Sequence, residues 1–357
     1  MRTIAILFLA VVAGLFGAAI FNTANMTPVF EAFLGRTNNY AKCSGVTDEA
    51  EQYLCFGLPQ QAAWLFAERG DAAKARAVLA DMESVLRGKP VKVEKFNSGA
   101  AYSFKLHFKN GAIGLFKTYD SDRFCHDCTS AREVAAYKID QWLGLNLVPL
   151  TIEYTADLSS VPRCVYALPK IRNSASGNDY SQCKNIKGSL QYWIESAYTA
   201  QNLGYDDSDK SQKLRLLDAI LGSTDRHEKN WMISGKYQTI EVAIDNSRTF
   251  RHAKQFYTVN PIYQKVEYFT CWQRQLDKIC NSPSATCSAT TLKSYMDKYR
   301  SASEADIRTL LGPFTPAADV SSFLAVRPII VSRFDHNLNL FNSPLPMDYC
   351  PDPPRKL

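Results

Sequence analysis

The chain has 357 residues, of which 46% are hydrophobic, 12% aromatic and 21% charged. This length suits one large domain or two ordinary ones, and the composition shows none of the Pro/Gly or charge bias that is typical of long disorder. The formal net charge is +6, but the Lys and Arg residues are scattered along the sequence. Because nucleic-acid binding needs a basic stripe, this scatter argues against a nucleic-acid partner.

An apolar run begins directly after Met1-Arg2. Residues 4–21 contain only apolar and small side chains, and the run approaches the ~20 residues that span a bilayer. We therefore predict that residues 1–24 are a signal peptide or an uncleaved type II membrane anchor. Gly17-Ala18-Ala19 offers small residues for cleavage, whereas the length of the run favours an anchor. In either case the rest of the chain is exported.

All the cysteines follow this run, and their number is even. In an exported chain this pattern predicts disulfide bonds, although their connectivity cannot be deduced. Cys125-His126-Asp127-Cys128 resembles half of a zinc site, but a structural zinc site needs a second such pair, so disulfides are favoured. The spacing of Cys271, Cys280 and Cys287 suggests a local loop bridge. The only glycosylation sequon is Asn25-Met26-Thr27. The cysteines are Cys43, Cys55, Cys125, Cys128, Cys164, Cys183, Cys271, Cys280, Cys287 and Cys350.

The first half of the chain changes from helical to extended patterns. Residues 25–90 are predicted to form a helical extension, because apolar residues recur at helical spacing between about Asp48 and Leu86. Apolar and polar residues then alternate over residues 102–109, which predicts a strand. Asn110-Gly111 predicts a hairpin turn into a return strand over residues 112–118. Helical periodicity follows over residues 130–143 and stops at Gly144.

The second half is predicted to be mainly helical. An extended stretch is expected over residues 162–171, and a helix from about Lys213 to Gly222. Two short strands, 231–233 and 241–244, bracket a turn, and helices continue to about Asn337. A sheet followed by helices predicts an α+β fold: a bilobal, protein-kinase-like arrangement preceded by the helical extension. The predicted boundaries are 91–172 for a small β-rich N-lobe, 173–345 for a helical C-lobe and 346–357 for a Pro-rich tail.

Five polar residues occur in the order and spacing that phosphoryl transfer requires. In the kinase layout a strand Lys pairs with a helix Glu, a catalytic Asp precedes a metal-binding Asn by five residues, and a metal-binding Asp follows a short hairpin. Lys117 ends the predicted return strand, and Glu133 lies in the first turns of the next helix. Asp225 precedes Asn230 by five residues, and Asp245 follows Asn230 by fifteen.

Each of these residues has an ordinary explanation when taken alone. A strand-end Lys is usually at the surface, a helix Glu is usually solvated, and Asp245-Asn246 is a plausible turn. Their joint order favours an ATP site instead. Asp225 would orient or deprotonate the acceptor hydroxyl. Lys117, held by Glu133, would neutralise the ATP phosphates. Asp245 and Asn230 would hold Mg²⁺ or Mn²⁺ through hard oxygen ligands.

Four segments resemble the secretory-pathway kinase family, which includes the Golgi casein kinase, the glycosaminoglycan xylosylkinase and four-jointed. The resemblance covers roughly residues 95–330 and implies an atypical kinase fold that uses ATP and a divalent metal. Residues 217–227 resemble the family's catalytic loop, and residues 243–250 its metal-binding segment. Residues 132–149 resemble its Glu-bearing helix and following loop, and residues 110–117 its Lys-bearing strand. Type II phosphatidylinositol 4-kinases and HipA-type kinases share a similar loop, but they work inside cells, unlike an exported chain with many cysteines.

The chain departs from this family pattern at several positions. Asn230 stands where the Golgi casein kinase has an acidic residue, and this Asn is the ordinary kinase choice. Ser247 replaces the Gly after Asp-Asn, so an unusual backbone angle at this position would cost more. A further acidic residue that some members place before Glu133 has no match, since Cys128 lies near that position beside Asp127. The only candidate for a phosphate-binding loop is residues 97–101, and it is poor in Gly.

The resemblance and the export segment together imply a kinase of the secretory pathway, in the Golgi lumen or outside the cell. Its acceptor would be a hydroxyl of a secreted protein, on Ser or Thr, or of a glycan. A bacterial exported kinase also fits, and the oligomeric state is not indicated. Two alternatives stay open: a pseudokinase that binds nucleotide and acts as a partner or activator, and a non-catalytic, disulfide-rich extracellular binding domain.

Overall fold

The computed structural model describes residues 43, 45–96, 101–122, 129–161, 164, 183–195, 197–205, 211–223, 226–234, 240–250 and 289–340. The chain divides into two compact units, Met1–Val78 with Ile194–Ala197 and Leu79–Trp193 with Tyr198–Leu357. The predicted signal or anchor segment and the Pro-rich tail lie outside the described residues. Within the part of the chain that is described, no helix is long and apolar enough to cross a membrane.

The first unit is helical, as the apolar periodicity predicted. Asp48 caps the first helix by accepting a hydrogen bond from the Glu51 backbone N–H at 2.9 Å, and Pro59 begins the second, where a missing N–H costs nothing. A disulfide joins Cys43 to Cys55 beside a core that includes the buried Phe56. The helices are α1 (Glu49–Cys55), α2 (Pro59–Glu68) and α3 (Ala72–Leu86), of which α3 continues into the second unit.

The second unit begins with an antiparallel sheet of five strands in the order β1-β2-β3-β5-β4. Its middle strand pairs Lys117 with Ser103 on one side and Ser189 on the other. Gly188 makes this close pairing possible, because a Cβ there would lie 2.2 Å from the Lys117 carbonyl oxygen. The strands are β1 (Lys92–Phe96), β2 (Ala101–His107), β3 (Ile113–Asp122), β4 (Thr151–Ala156) and β5 (Ile186–Tyr192).

The sheet differs from the sequence prediction in two ways. The return strand was predicted to end near Lys117, but β3 continues to Asp122, so Lys117 lies inside a strand that is paired on both sides. Strands β1, β4 and β5 were not predicted. The extended stretch expected over residues 162–171 lies outside the described residues except for Cys164. That cysteine forms a disulfide with Cys183, within the segment that connects β4 to β5.

Helices and a small second sheet complete this unit. The sheet has three antiparallel strands in the order β6-β7-β8. The C-terminal helices pack through aromatic side chains: the Phe323 ring centroid lies 5.6 Å from that of Phe250 and 5.7 Å from that of Tyr299. The elements are α4 (Ala131–Leu143), β6 (Tyr198–Thr199), α5 (Gln212–Leu221), β7 (Trp231–Ser234), β8 (Ile240–Ala243), α6 (Ala289–Ser301), α7 (Glu304–Leu311) and α8 (Ala317–Leu340), with 3₁₀ helices at Ala200–Leu203 and Asn246–Arg248.

The predicted α+β arrangement of a small sheet followed by helices is therefore confirmed. Disulfide bonding is also confirmed for two cysteine pairs, Cys43–Cys55 and Cys164–Cys183. The local bridge suggested for the cluster near Cys280 lies outside the described residues, and so does the Cys125–Cys128 motif.

Candidate active site

Lys117 forms the centre of an ion cluster. It lies in the middle of β3, where pairing on both sides fixes the backbone, and the residue is 9% exposed. Its Nζ donates to Glu133 Oε1 at 2.7 Å and to Asp245 Oδ1 at 3.0 Å. The structure thus brings together three residues that the sequence placed in one site, although 128 residues separate Lys117 from Asp245.

The first turn of α4 positions Glu133. Ser130, just before the helix, donates its hydroxyl to the carbonyls of Lys117 and Thr118 at 2.9 and 3.0 Å, which ties the helix to β3. Glu133 is 2% exposed. Its Oε2 accepts the Asn246 backbone N–H at 2.8 Å while Oε1 accepts from Lys117. One carboxylate therefore joins the strand Lys to the Asp-Asn segment.

The Asp-Asn segment follows β8 and turns sharply. Asp245 has φ 54° and ψ 59°, the left-handed region, before the 3₁₀ helix Asn246–Arg248. A residue other than glycine costs about 1–2 kcal/mol in this region. Ser247 lies inside the 3₁₀ helix, and the left-handed residue of this segment is Asp245 itself. The Ser247 hydroxyl instead donates to Asp245 Oδ1 at 3.4 Å.

Asn230 lies directly before β7, next to the Asp-Asn segment. The β7–β8 register pairs Trp231 with Ala243, and the Ile244 N–H extends it by donating to the Asn230 carbonyl at 3.1 Å. Asn230 is thereby placed opposite Ile244, the residue before Asp245. It is 6% exposed. The predicted catalytic residue, Asp225, lies outside the described residues.

Arg226 organises this part of the site. Its Nε donates to Asp218 Oδ1 on α5 at 2.9 Å. Its terminal nitrogens donate to the carbonyls of Asn230 and Ile244 and to Asn246 Oδ1. Arg226 was not identified from the sequence as a residue of the site. Asp218 could have indicated this role, because a carboxylate within the apolar run of a buried helix needs a buried cationic partner.

A second buried carboxylate, Asp140, lies in the last turn of α4. The helix stops at Gly144, which has φ 86°. Asp140 is fully buried and accepts the backbone N–H groups of Leu147 and Val148 at 3.0 and 3.2 Å. The Leu147 carbonyl in turn accepts the Ala243 N–H at 2.8 Å. Asp140 therefore fixes the loop on which the strand before Asp245 rests.

The electrostatics of the cluster keep its charges in place. Burial opposes the charged form of Lys117, but Asp245 and Glu133 outweigh it and raise the Lys117 pKa above its ordinary value. The Lys117 ammonium is the main reason that the pKa of Asp245 is lowered, with burial acting against it and Arg226 assisting. Asp245 is consequently a carboxylate, and not a carboxylic acid, at neutral pH.

The donor set fits a hard divalent cation. The Asp245 side chain is 39% exposed, and both of its hydrogen bonds, from Lys117 and Ser247, fall on Oδ1. Among the described residues none donates to Oδ2. A free carboxylate oxygen near the amide-bearing Asn230 offers the ligand types that Mg²⁺ and Mn²⁺ prefer.

Comparisons with known proteins address the fold. No protein-family model matches the chain, and no curated protein matches it. Among solved structures, that of hydra Fam20 with sugar has a TM-score of 0.51 at 12% identity, and the match covers 75% of this chain and 91% of that chain. The chain has a Fam20-like atypical kinase fold.

Two other solved kinases match with lower TM-scores. The Golgi casein kinase is 16% identical over 75% of this chain and 76% of its own, with a TM-score of 0.47. The Helicobacter pylori proinflammatory kinase CtkA is 13% identical over 69% of this chain and 94% of its own, with a TM-score of 0.41. The Fam20-like fold confirms the predicted bilobal kinase arrangement, whereas the chemical roles of individual residues rest on the site geometry.

Proposed function

We propose that this chain is an ATP-dependent kinase that transfers the γ-phosphoryl group to a hydroxyl. The observation that carries this proposal is the contact of one buried Lys117 ammonium with both Glu133 and Asp245. Kinase chemistry needs the strand Lys held by the helix Glu and a metal-binding Asp beside it. A cluster that served stability alone would gain little, because burying charges costs about as much as their attraction returns.

Each residue has a defined task in this mechanism. Lys117 places its positive charge where the ATP phosphate oxygens would lie, and Glu133 prevents it from moving away. Asp245 and Asn230 would hold Mg²⁺ or Mn²⁺, which would neutralise charge on the phosphates. We assign Asp225 the task of orienting the acceptor hydroxyl and taking its proton. Transfer then breaks the bond between the γ-phosphorus and the β,γ-bridging oxygen and forms one to the acceptor oxygen.

The acceptor and compartment belong to the same proposal. The apolar run at residues 4–21 and the two disulfides support export. We place the kinase in the Golgi lumen or outside the cell, acting on Ser or Thr of secreted proteins or on glycans. The neighbouring hydra Fam20 was solved with sugar, which is a reason to include glycans among the acceptors to be tested.

The experiment uses the full chain, purified from a host with a secretory pathway. Mn²⁺ with ADP should raise its melting temperature, and labelled ATP should transfer phosphate to one of two acceptor panels, acidic peptides or proteoglycan linker sugars. Asp245→Ala should abolish both effects. Asp157→Ala is the matched control, because Asp157 is an exposed loop carboxylate, and it should retain both effects.

The outcomes separate the alternatives. Nucleotide binding without transfer to any acceptor would identify a pseudokinase. Failure to bind nucleotide with either metal would contradict the proposal and favour an extracellular binding domain. Full activity in Asp245→Ala would overturn the assignment of Asp245 as a metal ligand.

A further inference from the structure

Arg226 contacts the residues on both sides of the strained Asp245. Its guanidinium donates to the carbonyl of Ile244, the residue before Asp245, and to the side-chain oxygen of Asn246, the residue after it. It also donates to the carbonyl of Asn230. Left-handed backbone at a residue other than glycine persists only where the surrounding structure holds it. The guanidinium provides such a restraint on each side of Asp245.

We propose that Arg226 is a positioning residue for the metal site, which sets the distance and direction between the Asn230 and Asp245 side chains. This inference rests on the proposed kinase function and deepens it. Arg226 follows Asp225 in the sequence, so it would ordinarily be assigned to the catalytic loop. Its described contacts, however, lead to the two residues that would bind the metal and to the anchor Asp218 on α5.

The chemistry of the side chain suits this role. Arginine carries five N–H donors in a fixed planar fork, so one group can bind several acceptors in a set geometry. Here the acceptors belong to α5, the residue before β7, and the segment after β8. The guanidinium is 2% exposed and the Asp218 carboxylate is fully buried, so water does not compete for these donors. A lysine has one ammonium and could not span all four acceptors.

Arg226 therefore contacts the segments that carry the proposed metal ligands and would not itself touch the metal. Groups of this kind orient the residues that touch the metal, and their mutation typically lowers metal affinity by about 10–100-fold. Glu133 restrains the same segment from the opposite direction through the Asn246 N–H. Because Glu133 also holds Lys117, a change at Glu133 would disturb the phosphate contact as well. Arg226 is the better probe of metal geometry alone.

The test compares three variants of the full chain. Arg226→Lys keeps the charge and removes the fork. Asp218→Asn keeps the guanidinium and weakens the ion pair between Arg226 and residue 218. It therefore tests the same role if Arg226→Lys fails to fold. Asp319→Asn is the matched control, since Asp319 forms another buried pair with an arginine, Arg132 on α4, that contacts neither Asn230 nor Asp245. The measurement is the Mn²⁺ concentration that half-saturates binding of a fluorescent ADP analogue, at a temperature where circular dichroism shows each variant fully folded.

We expect Arg226→Lys to need about 10–100-fold more Mn²⁺ for half-saturation, and Asp218→Asn an intermediate amount. Asp319→Asn should match the wild-type Mn²⁺ requirement even where its melting temperature falls. Unchanged Mn²⁺ requirements in both Arg226→Lys and Asp218→Asn, while the wild type binds the analogue, would overturn the positioning role and leave the proposed function standing. A wild-type chain that binds no analogue at any Mn²⁺ concentration would contradict the proposed function, and the positioning role with it.

Discussion

The two buried carboxylates of α4 are compensated in different ways. Glu133, in the first turn, accepts from the Lys117 ammonium and from one backbone N–H. Asp140, two turns later, accepts from the backbone N–H groups of Leu147 and Val148. Both residues lie on the buried side of one helix. One end of the helix therefore uses a side-chain cation, and the other uses backbone dipoles.

If the proposed function holds, this difference separates a functional end of the helix, at Glu133, from a structural end, at Asp140. The cation that Glu133 binds also pairs with Asp245, and in the proposed mechanism it would be shared with a phosphate ligand. The backbone N–H groups that donate to Asp140 belong to the loop after α4. The Leu147 carbonyl of this loop accepts a hydrogen bond from the last residue of β8, Ala243. Backbone dipoles do not fully replace a counter-charge, and burial raises the pKa of Asp140 to about 7.

The largest expected effect is a pH-dependent loss of stability from Asp140. Its pKa in the folded chain, about 7, exceeds its ordinary value of 3.8. The stability contributed by the protonated group is thus fully present below about pH 4 and is lost as pH rises through about 7. At 1.36 kcal/mol per pKa unit, the loss is about 4 kcal/mol. Asp140→Asn cannot titrate, so the stability of wild type relative to this variant should fall by that amount.

Urea unfolding of wild type and Asp140→Asn at about pH 4 and pH 8, with disulfides intact, measures this change directly. Lys213 acts against the shift by favouring the ionised carboxylate, so the transition is expected at neutral pH and no higher. If the difference in unfolding free energy between wild type and Asp140→Asn were the same at both pH values, the prediction would be contradicted. The backbone N–H groups would then compensate the charge of Asp140 as fully as a cation would.

The next largest effect is expected at the other end of the helix. Glu133→Gln removes the charge that holds Lys117, and Lys117 then pairs with Asp245 alone. We expect kcat/KM for ATP to fall by about 100-fold, because small displacements of a reacting group have effects of this size. Stability should fall by only about 1–3 kcal/mol, because Lys117 keeps one charged partner, the Asp245 carboxylate. Initial rates of labelled phosphate transfer and a melting curve measure the two quantities.

Asp140→Asn is the matched control for Glu133→Gln, since it neutralises the other carboxylate of the same helix. It should change stability with pH and leave the rate of transfer near that of wild type at neutral pH. Equal losses of activity in the two variants would mean that α4 acts as one rigid support, with no functional distinction between its ends.

The sequence predicted much of the site because its chemistry depends on spacing. Lys117, Glu133, Asn230 and Asp245 were identified from their order, and the structure places Lys117 against Glu133 and Asp245, with Asn230 beside the Asp245 segment. The four contacts of Arg226 could not be predicted, because they join residues of three elements that meet only in the folded chain.

The missed strands have a different cause. β4 and β5 carry buried polar residues such as Thr151, Ser189 and Gln191, which interrupt the apolar pattern that predicts strands. Gly188 weakens the pattern further, yet the close approach of β3 requires it. The left-handed angle at Asp245 was not predicted. It lies beside the contact of the Asn246 N–H with Glu133, which spacing along the chain does not reveal.

The smallest expected effect concerns the join between β3 and the start of α4. The Ser130 hydroxyl is buried and lies within bonding distance of the Lys117 and Thr118 carbonyls. Ser130→Ala leaves these acceptors without that donor, which should cost about 1–2 kcal/mol of stability. Because Lys117 and Glu133 would then be less firmly aligned, the KM for ATP should rise while kcat changes little.

The control for this change is Ser322→Ala, since the Ser322 hydroxyl also donates to a backbone carbonyl, that of Ala318, but on the exposed face of α8. An exposed serine of this kind should change stability by no more than about 0.5 kcal/mol. If Ser130→Ala were as mild as Ser322→Ala in both stability and KM, the alignment of Lys117 would depend on Glu133 alone. The functional end of α4 would then be held by its ion pair, without help from the backbone contact that precedes the helix.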